Sequence, residues 1–551
     1  MKSPPAFLAV AALKPGERIL FSSAPDGFDA ILLADAARAL AGQDDKRSVT
    51  LLHVSRDGQR MAALEAGLGF AAPEIETISF PAWDCQPYDR IGPNAATSAQ
   101  RMTTLARLAR TRAGAQPRIL LTTVNAILQR VASLQRMKAE SFSAAPGHSV
   151  DMDGVVQWLE RNGFLRSSTV RDVGEYALRG GILDLYPAGL PAPVRLDFFG
   201  DTLESIRAFD PETQRTTGPW RALDLTPMSE VTLTSDNIRS FRQNYLATFG
   251  AVTKSDPLYE AISEGRRYPG MEHWLPLFTP DLDTLFDYVG DAPVFLDALA
   301  DDAAGERLAQ IADYHDARAE ALNHAAAGAA PYKPLGPGQL YLTPEEWSAA
   351  LAQAPAARLT PFASPEGGGT RAIDMGARQG RNFAPERADE SVNVFEGAVA
   401  HIRALQQQKK KVIVAAWSDG SRDRLATVLA DHDLKRATTI SALSHAQALR
   451  GDETAFAVWG IEAGFETADL AVVAEQDILG DRLVRAKKKR RGADFIAEAA
   501  SLSAGDLVVH VDHGIARFIG LKTIEVGGAP HDCCELEYAG GDRLFLPVEN
   551  I

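Results

Sequence analysis

The stretch Arg18-Ile19-Leu20-Phe21, followed by the run from Phe28 to Leu40, decides the fold of the first part of the chain. The first segment has the pattern of a short buried strand and the second that of a helix. The alternation continues with a strand from Val49 to Val54, a helix from Gln59 to Leu68 and a buried parallel strand from Arg118 to Thr123. Alternating strands and helices predict a doubly wound α/β layer.

The loop after the first strand lacks the chemistry of a phosphate site. In a nucleotide-binding version of this layer, the loop carries G-x-x-x-x-G-K-[ST], whose backbone amides and lysine hold the phosphates. Here the loop from Ser22 to Asp29 contains one glycine and no lysine, and Asp26 and Asp29 would repel a phosphate. The motif occurs nowhere else in the 551 residues. We therefore expect no catalytic residue, no nucleotide-binding residue and no cofactor in this chain.

Composition sets the broad class of the protein. A chain of 551 residues should hold three to five domains of roughly 100 to 200 residues each. No apolar run approaches the roughly 20 residues of a membrane span, and three cysteines, two of them adjacent, fit a reducing cytoplasm. The 57 basic and 72 acidic residues give a net charge of −15, whereas surfaces that follow phosphates are basic. We expect a cytoplasmic monomer without membrane contact that binds mainly proteins.

A second informative stretch runs from Gly174 to Arg207, where period-two patterning and short connections predict an antiparallel sheet. Alternation places Arg195, Asp197 and Phe199 on one face of this sheet. Arginine and phenylalanine on a solvated face are typical of protein docking. The alternative is a surface ladder of ion pairs, Arg195 with Asp197 or Arg179 with Glu175, each contributing about 0.5 kcal/mol.

The end of the chain predicts a small β-barrel. Period-two segments are separated by tight-turn residues, which are Asp512-His513-Gly514, Gly527-Gly528 and Gly540-Gly541. The unpaired edge of such a barrel can accept a strand from a partner. His510, His513, His531, Cys533 and Cys534 offer donors for zinc. Because adjacent cysteines on a strand point to opposite faces, we expect no metal site there.

A second small α/β domain precedes the barrel, with a predicted strand from Lys411 to Trp417 and a helix from Arg422 to Leu429. Glu475 and Asp477 at a strand end could hold magnesium in an active ATPase. Without a phosphate loop, a spacer or a docking unit is the favoured interpretation. The basic run from Arg482 to Arg491 predicts a solvated linker, and transient contact with DNA or with acidic faces of the same protein is the alternative.

Two aromatic motifs have both a structural and a functional interpretation. Trp83 and Tyr88 have the character of half-buried aromatics in a structural loop. Arg266, Arg267, Tyr268 and Trp274 could line a groove for a nucleic-acid strand by charge and stacking. Acidic residues surround this second patch, which favours a core-facing helix end.

Several of these segments carry a resemblance to one family. Val508-Val509-His510, His513 to Phe518, Gly520-Leu521 and Leu546-Pro547-Val548 resemble the RNA-polymerase-interacting module of CarD-type regulators and of the transcription-repair coupling factor (Mfd) family. Pro81 to Asp89 and Thr122 to Arg130 resemble that family's version of the UvrB core, in which the ATP site has decayed. The predicted sheet from Gly174 to Arg207 resembles the domain that UvrB and this family use to dock onto UvrA.

The resemblance implies an α/β multidomain protein with a degenerate RecA/UvrB-like parallel-sheet domain, an inserted antiparallel domain, a second α/β domain and a Tudor- or CarD-like barrel. The implied boundaries are 1–140 and 223–360 for the UvrB-like domain, 141–222 for the UvrA-docking domain, 361–389 for a linker, 390–481 for the spacer domain, 482–500 for the basic linker and 501–551 for the polymerase-interacting domain.

The resemblance also implies binding residues. Docking onto UvrA is implied for Arg179, Arg195 and Phe199, with Glu175 and Asp197 as neighbours. Strand addition to the β subunit of RNA polymerase is implied for the edge that contains Lys522, Thr523, Ile524, Glu525 and Val526, with Ile524 as apolar anchor and Arg517 as charged neighbour.

In full-length family members, ATP, magnesium and most double-stranded DNA are bound by a translocase motor that follows the barrel. We expect this chain to be the adaptor half without that motor. Two alternatives remain open at this point: an ATP-dependent helicase or nuclease subunit, and a free-standing transcription regulator of the CarD type.

Overall fold

The computed structural model of the chain describes residues 7, 9, 10, 12, 13, 16–41, 49–110, 116–139, 142–252, 256–323, 332–364, 371–389, 391–480, 505, 507–510, 514–526, 529–538 and 541–547. The predicted basic linker from Arg482 to Arg491 and the predicted turns at 512–513 and 527–528 lie outside these residues. Within the described ranges, no helix combines the length and the hydropathy that crossing a bilayer requires.

The first sheet consists of seven parallel strands. Across the sheet, the order is Arg371–Asp374, Arg18–Ser22, Ala356–Leu359, Val294–Leu296, Leu51–Ser55, Arg118–Thr123 and Glu76–Phe80. Except in the largely exposed outer strand Arg371–Asp374, most of their apolar side chains are buried, and they are buried on both faces as in other all-parallel sheets. Because every strand is parallel, all carboxyl ends of the strands lie at the same end of the sheet. The loop from Ser22 to Asp29 lies at that end.

Helices cover both faces of the first sheet. Phe28–Leu40 and Gly58–Ala71 lie on one face, and the helices on the other are Ala95–Arg110, Val124–Ile127, Leu285–Val289, Ala300–Asn323 and Pro344–Gln353. Local chemistry fixes where they start. Asp57 accepts a hydrogen bond from the Arg60 amide (2.8 Å) at the start of one helix. Thr343 and Glu346 form a capping box ahead of Pro344.

A further core lies beside this layer and contains the aromatic loop. It is built by the helices Ser235–Phe249, Pro257–Ser263, Leu275–Phe278 and Pro337–Leu340, together with the short 3₁₀ turn Met271–Trp274. Trp83 and Tyr88 are buried in it. Trp83 Nε1 donates to the carboxylate of Glu230 (2.9 Å), which also pairs with the buried Arg101 (2.7 Å). The predicted structural loop is therefore confirmed, and its aromatics are more buried than predicted.

The second sheet is inserted into this unit. Its order is Thr216–Pro219, Thr202–Phe209, Val194–Phe199, Ile182–Leu185, Glu175–Arg179 and Leu165–Arg166, antiparallel except for the last pair. The helix Met152–Arg161 packs against its inner face, with Leu159 in the core. Leu223–Leu225 pairs with Phe142–Ala144, so the chain leaves and re-enters the first unit at adjacent points. Leu134–Ala139 precedes the insertion, and Val131–Ala132 pairs with Leu282–Asp283.

The third sheet is mixed and is not an independent layer. Its order is Arg378–Gln379, Phe465–Glu466, Leu470–Ala474, Lys411–Ala416, Thr454–Val458 and Ala437–Thr439. Val394–Gln407 and Asp419–Asp431 cover one face, and the short helices Ala384–Ala388, Leu443–Ala448 (3₁₀) and Glu475–Leu479 flank the sheet. The other face packs on Phe28–Leu40 and Gly58–Ala71, which we call the shared helices because both sheets bury them in a single core.

The segment between these two sheets is more structured than the predicted linker at 361–389. Arg371–Asp374 is a strand of the first sheet and Arg378–Gln379 is a strand of the third. The linker residues thus join the two sheets through backbone hydrogen bonds.

The terminal sheet has four antiparallel strands in chain order, Leu507–His510, Gly514–Val526, Ala529–Glu537 and Arg543–Pro547. A small core of Ala516, Phe518, Cys534 and Leu536 covers one face. The predicted fold class, an α/β multidomain protein with a small antiparallel β unit at its end, is confirmed.

The shared core makes a test of packing possible within one helix. A methyl group on Gly67 would lie 3.1 Å from Ala30 Cβ and 3.2 Å from Trp459 Nε1, whereas one on Gly69 would have no neighbour within 4 Å. We expect Gly67→Leu to lower the free energy of unfolding by about 2 to 3 kcal/mol, because it overfills the space between the shared helices and the third sheet. Chemical denaturation measures this change.

Gly69→Leu is the matched control and should be neutral or slightly stabilising, because leucine favours a helix more than glycine does. Equal destabilisation by the two substitutions would contradict the shared core.

Candidate docking surfaces

The loop from Ser22 to Asp29 holds a carboxylate where a phosphate loop holds its ligand. Gly27, at φ +91°, precedes the first shared helix. The Asp29 carboxylate accepts hydrogen bonds from the amides of Gly27 (3.0 Å) and Ala30 (2.8 Å) and pairs with the buried Arg60. The amides at this helix start are thus bonded to the protein's own anion, and Arg60 balances its charge.

Two further carboxylates, considered above for magnesium, bind backbone amides in the third sheet. Glu475 accepts a hydrogen bond from the Trp417 amide (3.0 Å). Asp477 Oδ2 accepts from the amides of Gly464 and Ala474, both at 2.8 Å. Burial raises the pKa of Asp477 to about 6. These contacts give both side chains a structural role in fixing the loops at the ends of the strands.

The adjacent cysteines lie on opposite faces of the terminal sheet. Cys534 packs with Phe518 and Leu536 in the core, and its burial raises the pKa of the thiol. Cys533 is opposite Lys522 in the register of the neighbouring strand. Within the described part of the chain, no three histidine, cysteine, aspartate or glutamate side chains form a group that could hold a metal ion.

The alternative considered for the residues around Trp274, a groove for a nucleic-acid strand, is wrong. Trp274 is buried and donates its Nε1–H to the carbonyl of Lys333 (2.8 Å). Arg267 bonds to Ser229 and Glu272, and Arg266 pairs with Glu264. These side chains do not form one open basic face, and the core-facing interpretation is confirmed.

The outer face of the second sheet holds Arg195 in a fixed orientation. Its guanidinium forms two hydrogen bonds with the buried carboxylate of Asp184, at 2.7 and 2.8 Å, and lies over the ring of Phe209 (4.9 Å). The hydrogen bond to Asp184 raises the pKa of Arg195. Sequence reasoning missed Asp184 as the partner of Arg195, although alternation with the buried Leu183 and Leu185 places Asp184 on this face.

The ion-pair ladder considered from the sequence is wrong in its partners. Asp197 accepts from Ser205 Oγ (2.7 Å) and pairs with Arg207. Despite partial burial, which acts in the opposite direction, these two partners lower the pKa of Asp197. Glu175 accepts from the amides of Arg171 (2.8 Å) and Asp172, and therefore holds the loop before its strand.

One end of this outer face is open. Phe199 is 77% exposed at the end of its strand, and Ile182 is exposed on the neighbouring strand. A shallow depression beside Ile182 is lined by Gly181, Ile182, Asp197, Phe198, Glu204, Ser205 and Arg207. Arg179 is cross-strand to Ile182 and bonds to the edge loop through Thr169 Oγ1 (3.3 Å). We call Arg179, Ile182, Asp197, Phe199 and Arg207 the open patch.

The structure thus brings Phe199, Asp197 and Arg179 to one patch, while Arg195 supports that patch and Glu175 shapes a loop. Ile182 and Arg207 are members that sequence reasoning missed. The Gly180-Gly181 turn, followed by the buried Leu183, was the available signal, since it places Ile182 on the outer face.

The terminal sheet has a free strand edge at the predicted position. The strand Gly514–Val526 pairs along 517–526 with Ala529–Glu537, but its other edge pairs with Leu507–His510 only over 514–517. In the described ranges no strand covers that second edge from Leu521 to Val526. A strand edge without a paired neighbour is one to which a strand of a partner can add.

Side chains around this edge have defined partners. Lys522 lies near Glu535 (3.8 Å) and over the ring of Phe545 (5.3 Å), and Arg517 donates to the carbonyl of Gly505 (3.0 Å). Ile524 is half-buried, and Thr523 is exposed. The side chains of Glu525 and Val526 lie outside the described part. A separate apolar stripe of Leu507, Val509 and Ile515 is exposed on the face opposite the core.

Three family models match segments of the chain that contain the second, third and terminal sheets. Residues 142–230 match the UvrB interaction domain, 405–478 match the MFD, D3 domain, and 502–551 match the CarD-like/TRCF RID domain. The transcription-repair-coupling factor of Rickettsia conorii is 29% identical over 501 residues, which cover 91% of this chain and 43% of that protein. Those of Myxococcus xanthus and Escherichia coli K12 are 31% and 26% identical, covering 90% and 98% of this chain and 42% and 45% of theirs.

Along nine-tenths or more of its length, the chain is similar to transcription-repair-coupling factors. The three domain matches follow one another in the order expected from the sequence. The chain spans less than half the length of these curated relatives.

The buried Asp477 predicts a pH dependence of stability. Its folded pKa is about 6, above its ordinary value of 3.8, so the folded state holds the proton more tightly than the unfolded state. Its contribution is therefore most favourable at low pH and is lost as pH rises from about 4 to about 6. Asp477→Asn removes this titration and keeps an oxygen acceptor.

We expect the stability of the wild type relative to Asp477→Asn to fall over this pH range by an amount on the order of 2 kcal/mol. Urea denaturation of both proteins at a series of pH values measures the difference. A difference that stays constant, or that grows with pH, would contradict the buried position of this carboxyl group.

Proposed function

We propose that this chain is the docking part of a transcription-repair coupling factor, which binds RNA polymerase through the terminal sheet and UvrA through the second sheet. The observation that carries the proposal is the free edge from Leu521 to Val526, which lies inside the segment that matches the CarD-like/TRCF RID domain. Two β surfaces on different sheets would let one chain hold both partners in transcription-coupled nucleotide excision repair.

The open patch supports the UvrA part of the proposal. An exposed phenylalanine next to an exposed isoleucine, bordered by the Asp197–Arg207 pair, is the composition of a small interface centre with a polar rim. Full burial of one such aromatic side chain is worth about 2 kcal/mol. Arg195 acts here as a positioning residue, because its guanidinium is already bonded to Asp184.

The free edge supports the polymerase part. Every second residue of this six-residue segment directs its backbone groups away from Ala529–Glu537, where an added strand could pair with them, and the alternating side chains would then select the partner. Ile524 is the apolar anchor in this proposal, with Lys522 and Arg517 as charged neighbours and Thr523, Glu525 and Val526 along the same edge. We assign the partner to the β subunit of RNA polymerase on the strength of the family resemblance.

We assign no ATP hydrolysis to this chain. The support is the Asp29 carboxylate, which accepts hydrogen bonds from backbone amides that a phosphate would need as donors. The net charge of −15 supports protein partners over extended contact with DNA. Translocation along DNA would belong to the motor of a full-length family member.

Phe199→Ser tests the open patch. We expect UvrA binding to weaken at least about tenfold, because the largest apolar contact of the patch is lost. Surface plasmon resonance with immobilised UvrA measures the change. Leu165→Ser is the matched control, since Leu165 is 62% exposed on the edge strand of the same sheet and lies outside the patch.

If Leu165→Ser loses UvrA binding and Phe199→Ser keeps it, UvrA docks on the edge of the sheet around Leu165 and the assignment of the open patch is wrong. Arg195→Ala is a poor probe, because it leaves the buried Asp184 without its partner and is expected to cost about 3 kcal/mol of stability. Arg179→Ala avoids this problem, and we expect it to weaken binding while leaving stability unchanged.

Ile524→Arg tests the strand edge. We expect capture of RNA polymerase to fall at least about tenfold, because a charge replaces the apolar anchor of the added strand. Val509→Arg provides the control, since Val509 is 77% exposed in the apolar stripe on the first strand of the same sheet. Co-sedimentation with core polymerase gives the measurement. If Val509→Arg abolishes capture and Ile524→Arg does not, the polymerase contacts the face of the sheet rather than its edge.

A further inference from the structure

A recess of about 710 Å³ lies at the outer edge of the first sheet, beside the strands Arg18–Ser22 and Arg371–Asp374. Ile19 packs against the shared helices, so alternation places Leu20 on the opposite face of the sheet. Leu20 is half-buried there, and Ala372, its register partner on the outermost strand, is exposed. The helices on that face therefore leave the outer two strands partly uncovered.

The lining of the recess is basic. Among the lining residues that the structure describes, Arg18, Arg358 and Arg371 are basic and Glu17 alone is acidic. Arg18 lies two residues before Leu20, and Leu20 is opposite Arg358 in the register. Alternation therefore places Arg18 and Arg358 on the same face of the sheet. Three arginines thus line one opening in a protein whose net charge is −15.

These arginines outnumber the anions that the protein provides for them. Arg358 pairs with Asp301. The half-buried Arg18 and the exposed Arg371 have no side-chain hydrogen bond or ion pair in the described ranges of the chain. Burial lowers the pKa of Arg358, and the positive charge of Arg18 lowers this pKa further. The recess therefore holds like charges whose mutual repulsion an added anion would relieve.

We propose that this recess binds a phosphate group, held by Arg18 and Arg371 with Arg358 as a third donor. The planar fork of a guanidinium group matches two oxygens of a phosphate. A phosphate has enough anionic oxygens to contact more than one arginine at once, whereas a single carboxylate has two oxygens.

The chemistry of the ligand is the same whether the phosphate belongs to a soluble polyphosphate compound or to the backbone of a nucleic acid. The site is separate from the loop between Ser22 and Asp29. Arg18 begins its strand, and that loop follows the other end of the same strand.

Isothermal titration of the 551-residue chain with inorganic tripolyphosphate tests the site. We expect saturable binding by the wild type and at least about fivefold weaker binding by Arg18→Gln and by Arg371→Gln, because each loses a charge-assisted donor. Arg424→Gln is the matched control, since it removes one positive charge from an exposed position of the helix Asp419–Asp431 and should bind like the wild type. Undiminished binding by both recess variants would overturn the inference.

Stability separates a binding role of Arg18 from a structural one. Because Arg18 has no ion-pair partner to lose and lies near a like charge, we expect Arg18→Gln without ligand to keep or slightly raise the free energy of unfolding. Tripolyphosphate should raise the Tm of the wild type more than that of Arg18→Gln. A loss of stability with unchanged affinity would give Arg18 a structural role and overturn the inference.

Two further probes identify the class and the source of the ligand. Citrate carries three carboxylates, and equal affinity for citrate and tripolyphosphate would overturn the assignment to phosphate. If a short DNA duplex competes with tripolyphosphate, and Arg18→Gln removes this competition, the ligand is a nucleic-acid backbone. If the duplex does not compete, the ligand is a soluble polyphosphate compound.

Failure of this inference is distinguishable from failure of the docking function. No heat from tripolyphosphate at about 10 mM would overturn the phosphate site. It would leave the docking proposal intact, because neither the second sheet nor the terminal sheet contributes a described residue to the recess.

Discussion

The burial of the two shared helices between the first and third sheets is the constraint on which the architecture depends. In the helix Phe28–Leu40, ten of 13 residues are buried. The helix therefore lacks the broad solvent-exposed face of an ordinary surface helix. Phe28, Phe70 and Trp459 interlock across this core through ring contacts with centroids 4.9 to 5.7 Å apart, which also include Phe465. The third sheet has long helices of its own on only one face, and the shared helices supply the other.

The loops at the strand ends of these two sheets bind carboxylates of the protein itself. In a nucleotide-binding α/β protein, the backbone amides at a helix start donate hydrogen bonds to a phosphate of the ligand. Here Asp29 and Asp477 fill equivalent positions in the two sheets with their own carboxylates. The layer is then complete without a ligand, and it can act as a scaffold that carries the docking sheets.

The second sheet and the terminal sheet, which we call the docking sheets, differ from the scaffold in the groups that they present to a partner. The second sheet exposes the side chains of the open patch, and in the described part of the terminal sheet one edge from Leu521 to Val526 has no neighbouring strand. Interaction through side chains suits recognition of a preformed surface, whereas a free edge suits an extended segment of a partner. The two surfaces therefore select partners of different kinds.

The sequence predicted the elements of the scaffold well, because strong periodicity determines them. Phe28–Leu40 and Arg118–Thr123 have the predicted bounds, and Leu51–Ser55 begins two residues later than predicted. The sequence did not predict that two sheets share one core, since a pattern shows that a face is buried but not what covers it. The all-round apolar character of Phe28–Leu40 was the available signal.

The outer face of the second sheet shows the same limit on a smaller scale. Alternation correctly placed Arg195, Asp197 and Phe199 on one face, and it could not give their partners. The pairing of Arg195 with Asp184 depends on the register between two strands, which the local pattern does not contain. For the same reason, the sequence identified the strand around Ile524 without showing that its neighbour stops at Arg517.

The most direct test of the adaptor account is whether one chain holds both partners at once without nucleotide. Mass photometry of the chain mixed with UvrA and core RNA polymerase, in the absence of ATP, would resolve the possible complexes. The account predicts a ternary species with one copy of this chain, formed with the same affinity for UvrA whether or not polymerase is present. Displacement of one partner by the other, or a ternary species that forms only when ATP is added, would contradict it.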